Sequence, residues 1–202
     1  MNWNELVSKE IVEQIIKKLE ERGITAFYVQ AGQDAKQKAL DLIPKGSQVL
    51  VSTSVTAEQI GLKEEIDNSD KFHSVRKEYM ALDHDKERDE IRKLRSTPDV
   101  IIGSVHAVTK EGEVIIASNT GSQLAGYVSG AGKVIWIVGA QKVVENLDEA
   151  YKRLHEYVVP KEEKHMQDLY GVGTNVSKLL LFNKEKIQNR VFLIFVNEVL
   201  GF

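Results

Sequence analysis

Hydroxyl, amide and cationic side chains gather at four places in the sequence, each directly after a short apolar run. These residue types suit a small anion, because lysine supplies charge and hydroxyl and amide groups supply hydrogen bonds. The residues are Ser52, Thr53, Ser54 and Thr56, then Ser104 and His106, then Ser118, Asn119, Thr120, Gly121, Ser122 and Gln123, and last Gln141 and Lys142. The pattern predicts a polar cleft that binds a carboxylate or a phosphate.

The apolar runs predict the strands that must position these residues. "QVLVS", "DVIIGS" and "VIWIVG" are apolar throughout, which is typical of strands buried on both faces. Helical patterns alternate with them, so we predict a three-layer α/β/α fold with a mostly parallel sheet. Ligands of open α/β sheets bind beyond the carboxyl ends of the strands. If the strands are neighbours, the four polar segments converge on one edge.

Two of the polar segments are predicted to begin helices, at Ser54 and at Thr120–Ser122. Free backbone N–H groups at a helix start favour an anion. Each residue also has an ordinary structural interpretation. Ser54 and Thr120 taken singly fit helix caps better than ligand contacts, and Gly121 fits a turn. A lone His106 fits a half-buried histidine with its own partner, and Lys142 fits a solvated helix start.

The remaining elements follow from periodicity and from glycine and proline positions. Residues 107–117 predict a hairpin with Gly112 in its turn. Each of the three prolines is expected just after a helix ends. Further helices are predicted at about 3–22, 33–43, 54–66, 83–95 and 147–157, and further strands at 24–29, 178–182 and 190–200; residues 67–80 give no clear pattern.

Composition narrows the functional classes. The chain has 202 residues and a net charge of −3, without a basic block, which argues against nucleic acid as a partner. No apolar stretch is long enough to span a bilayer. The start, "MNWNELVSKE", lacks the apolar core of a signal peptide, so we expect a cytoplasmic protein without membrane association.

Cysteine is absent, which excludes thiol nucleophiles, zinc thiolate sites and cysteine-ligated iron–sulfur clusters in this chain. Neighbouring acidic and histidine side chains in "DHDKERDE" point apart on a helix and so predict an exposed face. No dinucleotide or phosphate-loop motif is complete. We therefore predict no bound cofactor and no tightly held iron or zinc.

Three blocks in this order and spacing resemble the LUD (lactate utilization) domain family: "STSVTAEQIGL", "SVHAVTKEGEVIIASNTGSQLAG" and "VIWIVGAQKVVENLDEAYKR". The ending "VFLIFVNEVLGF" is similar too. The alternating strands and helices favour one domain over residues 1–202, and the resemblance covers most of it. The resemblance implies a fold like the group of ribose-5-phosphate isomerase, glucosamine-6-phosphate deaminase and CoA-transferase. It also implies a link to bacterial oxidation of L-lactate to pyruvate beside iron–sulfur partner proteins.

The chain departs from the family pattern at the polar segments. Ser52-Thr53-Ser54-Val55-Thr56 replaces Gly-Gly-Ser-x-Thr, and Ser104-Val105-His106-Ala107 replaces Ser-x-Asn-Ala. Ser118-Asn119-Thr120-Gly121-Ser122-Gln123 replaces Asp-Gly-Thr-Gly-Asn-Arg, and Gly139-Ala140-Gln141-Lys142 replaces Gly-x-Asn-Lys. Many relatives also carry a cysteine cluster near residues 165–180. The glycine scaffold and Lys142 persist, while groups that could touch a ligand differ.

Three functional hypotheses follow. The first is a LUD-type protein that binds a small anionic metabolite in lactate or organic-acid metabolism, as a non-catalytic subunit. The second is an isomerase, hydrolase or transferase acting on a sugar phosphate or acyl ester, with His106 or Glu111 as acid/base candidates; Glu111 also fits a solvated hairpin residue. The third is a protein-interaction module with a vestigial cleft. Homo-oligomerisation is compatible with all three.

Overall fold

The computed structural model describes residues 2–202 and contains two sheets flanked by helices. The strands are β1 Thr25–Val29, β2 Gln48–Val51, β3 His73–Ser74, β4 Val100–Gly103, β5 Ala107–Thr109, β6 Val114–Ser118, β7 Lys133–Gly139, β8 Val143–Val144, β9 Lys178–Phe182 and β10 Val191–Val196. The helices are α1 Lys9–Glu21, α2 Gly32–Leu42, α3 Val55–Gln59, α4 Leu62–Asn68, α5 Val75–Met80, α6 Arg88–Ser96, α7 Leu147–Arg153 and α8 Val159–Tyr170. Two π-helical turns are formed by Gly126–Gly130 and Leu154–Val158, and Ala140–Lys142 form a 3-10 turn.

The larger sheet has six strands in the order β1-β10-β7-β4-β2-β3, and every pair is parallel. β7 shows why its sequence is apolar throughout. Trp136 and Val138 pack towards α1 and the second sheet, whereas Ile135 and Ile137 pack towards α2, α3 and α4. Both faces are therefore buried. The predicted mostly parallel α/β fold is confirmed, with the three apolar runs as neighbouring strands inside the sheet.

The predicted hairpin is present, but it belongs to a second sheet rather than to the parallel one. This sheet has the order β8-β5-β6-β9, with β6 antiparallel to both of its neighbours. It shares a hydrophobic cluster with α1 and with one face of the parallel sheet. The condition that all four strands neighbour one another is therefore not met, because the strand before Ser118 lies in the other sheet.

Local capping groups shift several predicted helix bounds. The first helix starts at Lys9 rather than near residue 3, because Ser8 Oγ accepts the backbone N–H of Ile11. The helix predicted over 54–66 is broken into α3 and α4 at Gly61, whose φ of +69° lies in the left-handed region. The charged helix starts at Arg88, because Asp83 accepts two amides in the preceding turn.

Pro160 does not end a helix, contrary to the prediction. Helical structure runs from Leu147 to Tyr170, with the π-helical turn Leu154–Val158 between α7 and α8. Pro160 sits in the first turn of α8. Proline has no N–H to donate, and in a regular helix its ring would meet the carbonyl one turn earlier. The wide π turn before it thus lets the chain continue.

Within residues 2–202, no helix is long and apolar enough to cross a membrane. Over the same residues, no group of three or more His, Asp or Glu side chains is arranged to hold a metal ion.

Candidate functional site

A cavity of about 360 Å³ opens beyond the carboxyl ends of β2 and β4. Its walls come from both sheets, from both π-helical turns and from the last two residues of the chain. Twelve of the predicted site residues line it: Ser52, Thr53, Ser54, Thr56, Ser104, His106, Ser118, Asn119, Thr120, Ser122, Gln123 and Lys142. The structure thus brings the four segments together although their strands belong to two sheets.

Three predicted residues lie outside the cavity lining. Gly121 has a φ of +83° and serves the turn after β6. Gln141 is buried, and its Nε2 donates to the carbonyl of Leu200 at 2.8 Å, so it anchors the C-terminal segment. Glu111 lies in the hairpin turn, where its carboxylate is 3.5 Å from Lys18 Nζ. This placement fits the solvated interpretation of Glu111 and leaves it without access to the cavity.

The backbone amides near Thr120 and Gly121 are already used within their own loop. The Gly121 amide donates to Ser118 Oγ at 2.9 Å, and the Ser122 amide donates to Thr120 Oγ1 at 3.4 Å. Regular helix begins only at Leu124. The expectation of a free helix start at Thr120–Ser122 is therefore wrong. At the other predicted start, Ser54 caps α3 through the Ala57 amide, and α3 is only five residues long.

Lys142 is the fully buried cation of the cavity wall. Its side chain follows the 3-10 turn after β7, and only 2% of the residue is exposed. Nζ donates to Ser104 Oγ at 3.1 Å and to Thr56 Oγ1 at 3.2 Å. No salt bridge involves Lys142 among residues 2–202. Burial, together with the nearby charge of Arg153, lowers the pKa of Lys142 to about 7.

His106 is held as a neutral hydrogen-bond donor. Its Nδ1 accepts the backbone N–H of Ala117 at 3.0 Å, so the ring proton is assigned to Nε2. Burial, then the charges of Lys142 and Arg153, lower the pKa of His106 to about 3. At neutral pH the imidazole is therefore uncharged and can donate from Nε2, for example to a ligand oxygen.

Arg153 lies behind the cavity wall with most of its donors unused. The residue is fully buried, and Nη1 donates to the carbonyl of His106. Nε and Nη2 have no partner within residues 2–202, and the guanidinium lies 5.2 Å from the centre of the Tyr157 ring. Burial lowers the pKa of Arg153 to about 10, so the side chain stays charged at neutral pH. Its uncompensated charge raises the potential at Lys142 and His106.

Two further side chains of the lining were not predicted. Arg95 reaches the cavity from α6; its guanidinium lies 5.1 Å from the Tyr79 ring centre. Tyr127 comes from the first π-helical turn, and its hydroxyl lies 3.0 Å from Ser52 Oγ. Burial raises the pKa of Tyr127 to about 12, which keeps the phenol protonated. A Cβ at Gly103 would overlap both hydroxyls, so the glycine is needed for this pair.

The outer wall comes from α8 and from the C-terminus. Glu162 and His165 line the cavity from α8, with His165 Nδ1 3.3 Å from the carboxylate. The Phe202 ring packs edge-on against His165. Both π-helical turns also contribute to the lining, through Tyr127 on one and Leu154 on the other. Single π turns are rare and occur often at functional sites, so they mark the same cavity independently of its polar residues.

Sequence reasoning missed Arg95, Tyr127, Arg153 and the α8 residues, because each lies on an element far from the strand ends. One signal was available for Arg153. It is spaced three residues from the buried Ala150 and directly precedes the buried Leu154, so it occupies the apolar side of its helix. A charged residue at such a position needs a partner or a function.

The fold and cavity define an α/β protein with a ligand-sized pocket at the carboxyl ends of its parallel strands. The chain belongs to the LUD domain family, whose model matches residues 12–178. No curated protein sequence matches it.

Two solved structures are similar to this chain. One is a DUF162 family protein from Deinococcus radiodurans, with a TM-score of 0.54 and 15% identity over 95% of this chain and 99% of that one. This similarity shows a shared fold. The other is a D-ribose-5-phosphate isomerase in complex with phospho-erythronic acid, with a TM-score of 0.42 and 13% identity over 82% of this chain and 94% of that one.

Proposed function

We propose that this LUD-domain protein binds a small anionic metabolite, a carboxylate or a phosphate, in the cavity beside Lys142. We place this binding in the utilization of L-lactate or a related organic acid, with the chain as a cytoplasmic binding subunit. The buried lysine is the observation that carries the proposal. Within residues 2–202 its ammonium is held only by two hydroxyl groups, so its charge is left for a ligand.

The energetic argument compares the site with an ordinary buried lysine. Burying an ammonium is costly unless a carboxylate compensates it. Among residues 2–202 neither Lys142 nor the adjacent buried Arg153 has such a carboxylate. A bound anion would compensate the ammonium and accept hydrogen bonds from Nζ and from His106 Nε2. By linkage, that anion would also raise the pKa of Lys142 towards its usual range.

Thermal shift and calorimetric titration with L-lactate, pyruvate and inorganic phosphate test the proposal. A ligand that binds only the native state raises the melting temperature. A charge-assisted hydrogen bond contributes roughly 1.5–3 kcal/mol, so Lys142→Ala should weaken the anion that binds best by about ten- to a hundred-fold. Lys110→Ala is the matched control, because Lys110 forms a surface ion pair with Glu145. Absence of binding by all three anions would contradict the proposal.

The iron–sulfur partner is a separate part of the proposal. The chain has no cysteine, so it has no thiolate ligands for a cluster of its own. Electron transfer linked to lactate oxidation would therefore be carried by a partner. Affinity purification of the tagged chain from its native host, followed by iron and sulfide analysis, checks this. A stoichiometric iron–sulfur protein in the eluate is expected, and its absence would limit the proposal to the binding role.

A further inference from the structure

We propose that Lys142 Nζ forms a reversible imine with the carbonyl carbon of a small 2-oxo carboxylate bound in the cavity. This inference rests on the proposed function, because the same cavity must first hold the carboxylate. It goes beyond that function by naming the ligand class and a covalent bond.

The hydroxyl groups around Lys142 determine which N–H bonds of its amine are engaged and whether its lone pair is free. Ser104 Oγ donates to the carbonyl of Ile137 at 2.7 Å. Thr56 Oγ1 lies 3.4 Å from both the carbonyl of Leu200 and Ser104 Oγ, either of which can accept its proton. Each hydroxyl has a single proton, so each can only accept from Lys142. A neutral amine has two N–H bonds and one lone pair. With both N–H bonds directed to hydroxyl groups, the lone pair remains for a carbonyl carbon.

The surroundings also favour the neutral amine that this reaction needs. An unprotonated lysine is the nucleophile in imine formation, and burial beside another cation is a known way to obtain one. Arg153 supplies that cation from behind the wall, and no carboxylate among residues 2–202 pairs with Lys142 to hold it as ammonium. The pKa of about 7 agrees with this geometry. In a large fraction of the molecules at neutral pH, Lys142 is therefore unprotonated and can act as a nucleophile.

Two donors that line the same cavity favour a carbonyl compound that carries a carboxylate. Arg95 lines the cavity without a salt-bridge partner among residues 2–202, and a guanidinium fits a carboxylate well. The Nε2–H of His106 is a neutral donor, which can polarise a carbonyl oxygen without charging the site. A neutral ketone would engage only the second of these groups. We therefore expect 2-oxo acids to react in preference to simple ketones.

The reaction is a condensation without redox change. The Nζ lone pair attacks the carbonyl carbon, so an N–C bond forms and the C=O π pair moves to oxygen. The resulting carbinolamine loses its oxygen as water, which takes up both protons that leave the amine nitrogen. The N–C bond becomes C=N, and hydrolysis by water reverses each step.

Borohydride trapping tests the imine. The wild-type protein is incubated with pyruvate, reduced with sodium cyanoborohydride, and analysed by intact mass and peptide mapping. We expect one reduced adduct, located on Lys142. Acetone, which lacks the carboxylate, should give about ten-fold less adduct, as for the loss of one charge-assisted contact. L-Lactate, which lacks the carbonyl group, should give none.

Controls separate this inference from the anion-binding proposal. Lys142→Arg should lose the adduct, while Lys110→Arg should keep it; peptide mapping of the wild-type protein gives the answer even if the first variant folds poorly. If L-lactate or phosphate raises the melting temperature but pyruvate leaves Lys142 unlabelled, the imine is refuted and anion binding stands. Labelling spread evenly over surface lysines also refutes it.

Discussion

Two buried arginines lie beside the two π-helical turns, and their surroundings are opposite. Arg190, just before β10, is 4% exposed, and its Nη1 lies 2.6 Å from the Glu185 carboxylate. Its other donors reach the carbonyls of Gly126, Tyr127 and Ala131 at 3.0–3.1 Å. Arg190 thus donates to three carbonyls in and directly after the first π-helical turn, and its own charge is compensated within the chain.

Arg153, at the start of the second π-helical turn, lacks such compensation. It donates one hydrogen bond, to the carbonyl of His106, and two of its nitrogens have no partner within residues 2–202. Its neighbour Lys142 also has no carboxylate partner in the part of the chain that the structure describes. The comparison separates two uses of a buried cation. Arg190 holds the fold together, whereas Arg153 and Lys142 impose positive charge on a cavity that a ligand can compensate.

The largest effect is expected at the compensated arginine. Arg190→Met should lower the free energy of unfolding by about 3–5 kcal/mol, because the Glu185 carboxylate loses its cation and three carbonyls each lose a hydrogen bond from the guanidinium. Guanidinium chloride unfolding measures the loss. In the double variant Arg190→Met/Glu185→Leu the uncompensated carboxylate is gone, so part of the stability should return. A single-variant loss below about 1 kcal/mol would show that Arg190 is not the structural member of the comparison.

The parallel sheet could be predicted from sequence because its signal is local. Strands buried on both faces must be apolar at every position, and "VIWIVG" and "VIIG" satisfy this. The second sheet was not predicted, because pairing of β6 with β9 joins segments about sixty residues apart in sequence, as Ile116 with Leu180. The continuation of helix through Pro160 was missed because no residue pattern marks the π turn before it.

The site was predictable only in part, for the same reason. Ser104 and Lys142 follow apolar strands, so their position at the carboxyl edge could be inferred. Arg95 lies on a helix rich in charged residues, where nothing local distinguishes an inward-pointing arginine from a solvated one. The spacing of Arg153 from Ala150 and Leu154 indicates an inward position but not what the side chain faces there. Their contribution depends on tertiary packing alone. The charge of the cavity therefore could not be read from the strand ends.

The contact between the Tyr127 and Ser52 hydroxyl groups allows a second test, at the wall of the cavity. Gly103→Ala should lower the free energy of unfolding by about 1–3 kcal/mol, because the new Cβ overlaps both hydroxyl groups. Thermal or chemical unfolding gives the value. The same substitution in a Ser52→Ala/Tyr127→Phe background should cost less, since the overlapping oxygens are absent. An equal cost in both backgrounds would mean that Gly103 is required for another reason.

The buried lysine predicts a pH-dependent stability. The folded-state pKa of Lys142, about 7, lies below the unfolded value of about 10.4. Between these values the unfolded chain binds more protons, so wild-type stability gains up to about 1.4 kcal/mol per pH unit from this residue as pH rises. Lys142→Met lacks this gain. Its stability relative to wild type should therefore be highest below about pH 7 and decline as pH rises from there.

Chemical unfolding of wild type and Lys142→Met at several pH values measures the difference in slope. Lys110→Met is the control, because its side chain is exposed and pairs with Glu145 at the surface. This variant should follow the wild-type pH dependence. Parallel curves for wild type and Lys142→Met would show that Lys142 keeps an ordinary pKa in the folded protein. Lys142 would then resemble Arg190, as a buried cation whose charge is compensated.

The smallest effect on stability is expected at Arg153, the buried arginine that is compared with Arg190. Arg153→Met removes a buried charge that has no carboxylate partner among residues 2–202, which favours folding. It also removes the donor to the His106 carbonyl, which costs roughly 1 kcal/mol. The two contributions oppose each other, so the free energy of unfolding should change by less than about 1 kcal/mol. Arg190→Met, the same substitution at the compensated site, serves as the matched control under identical guanidinium chloride conditions.

Arg153→Met should also raise the pKa of Lys142, because the neighbouring positive charge that lowers it is gone. This shift should move the pH at which Lys142→Met begins to lose its relative stability. If instead Arg153→Met destabilises the protein as strongly as Arg190→Met, then Arg153 is a structural residue, and the positive charge around the cavity is not held in reserve for a ligand.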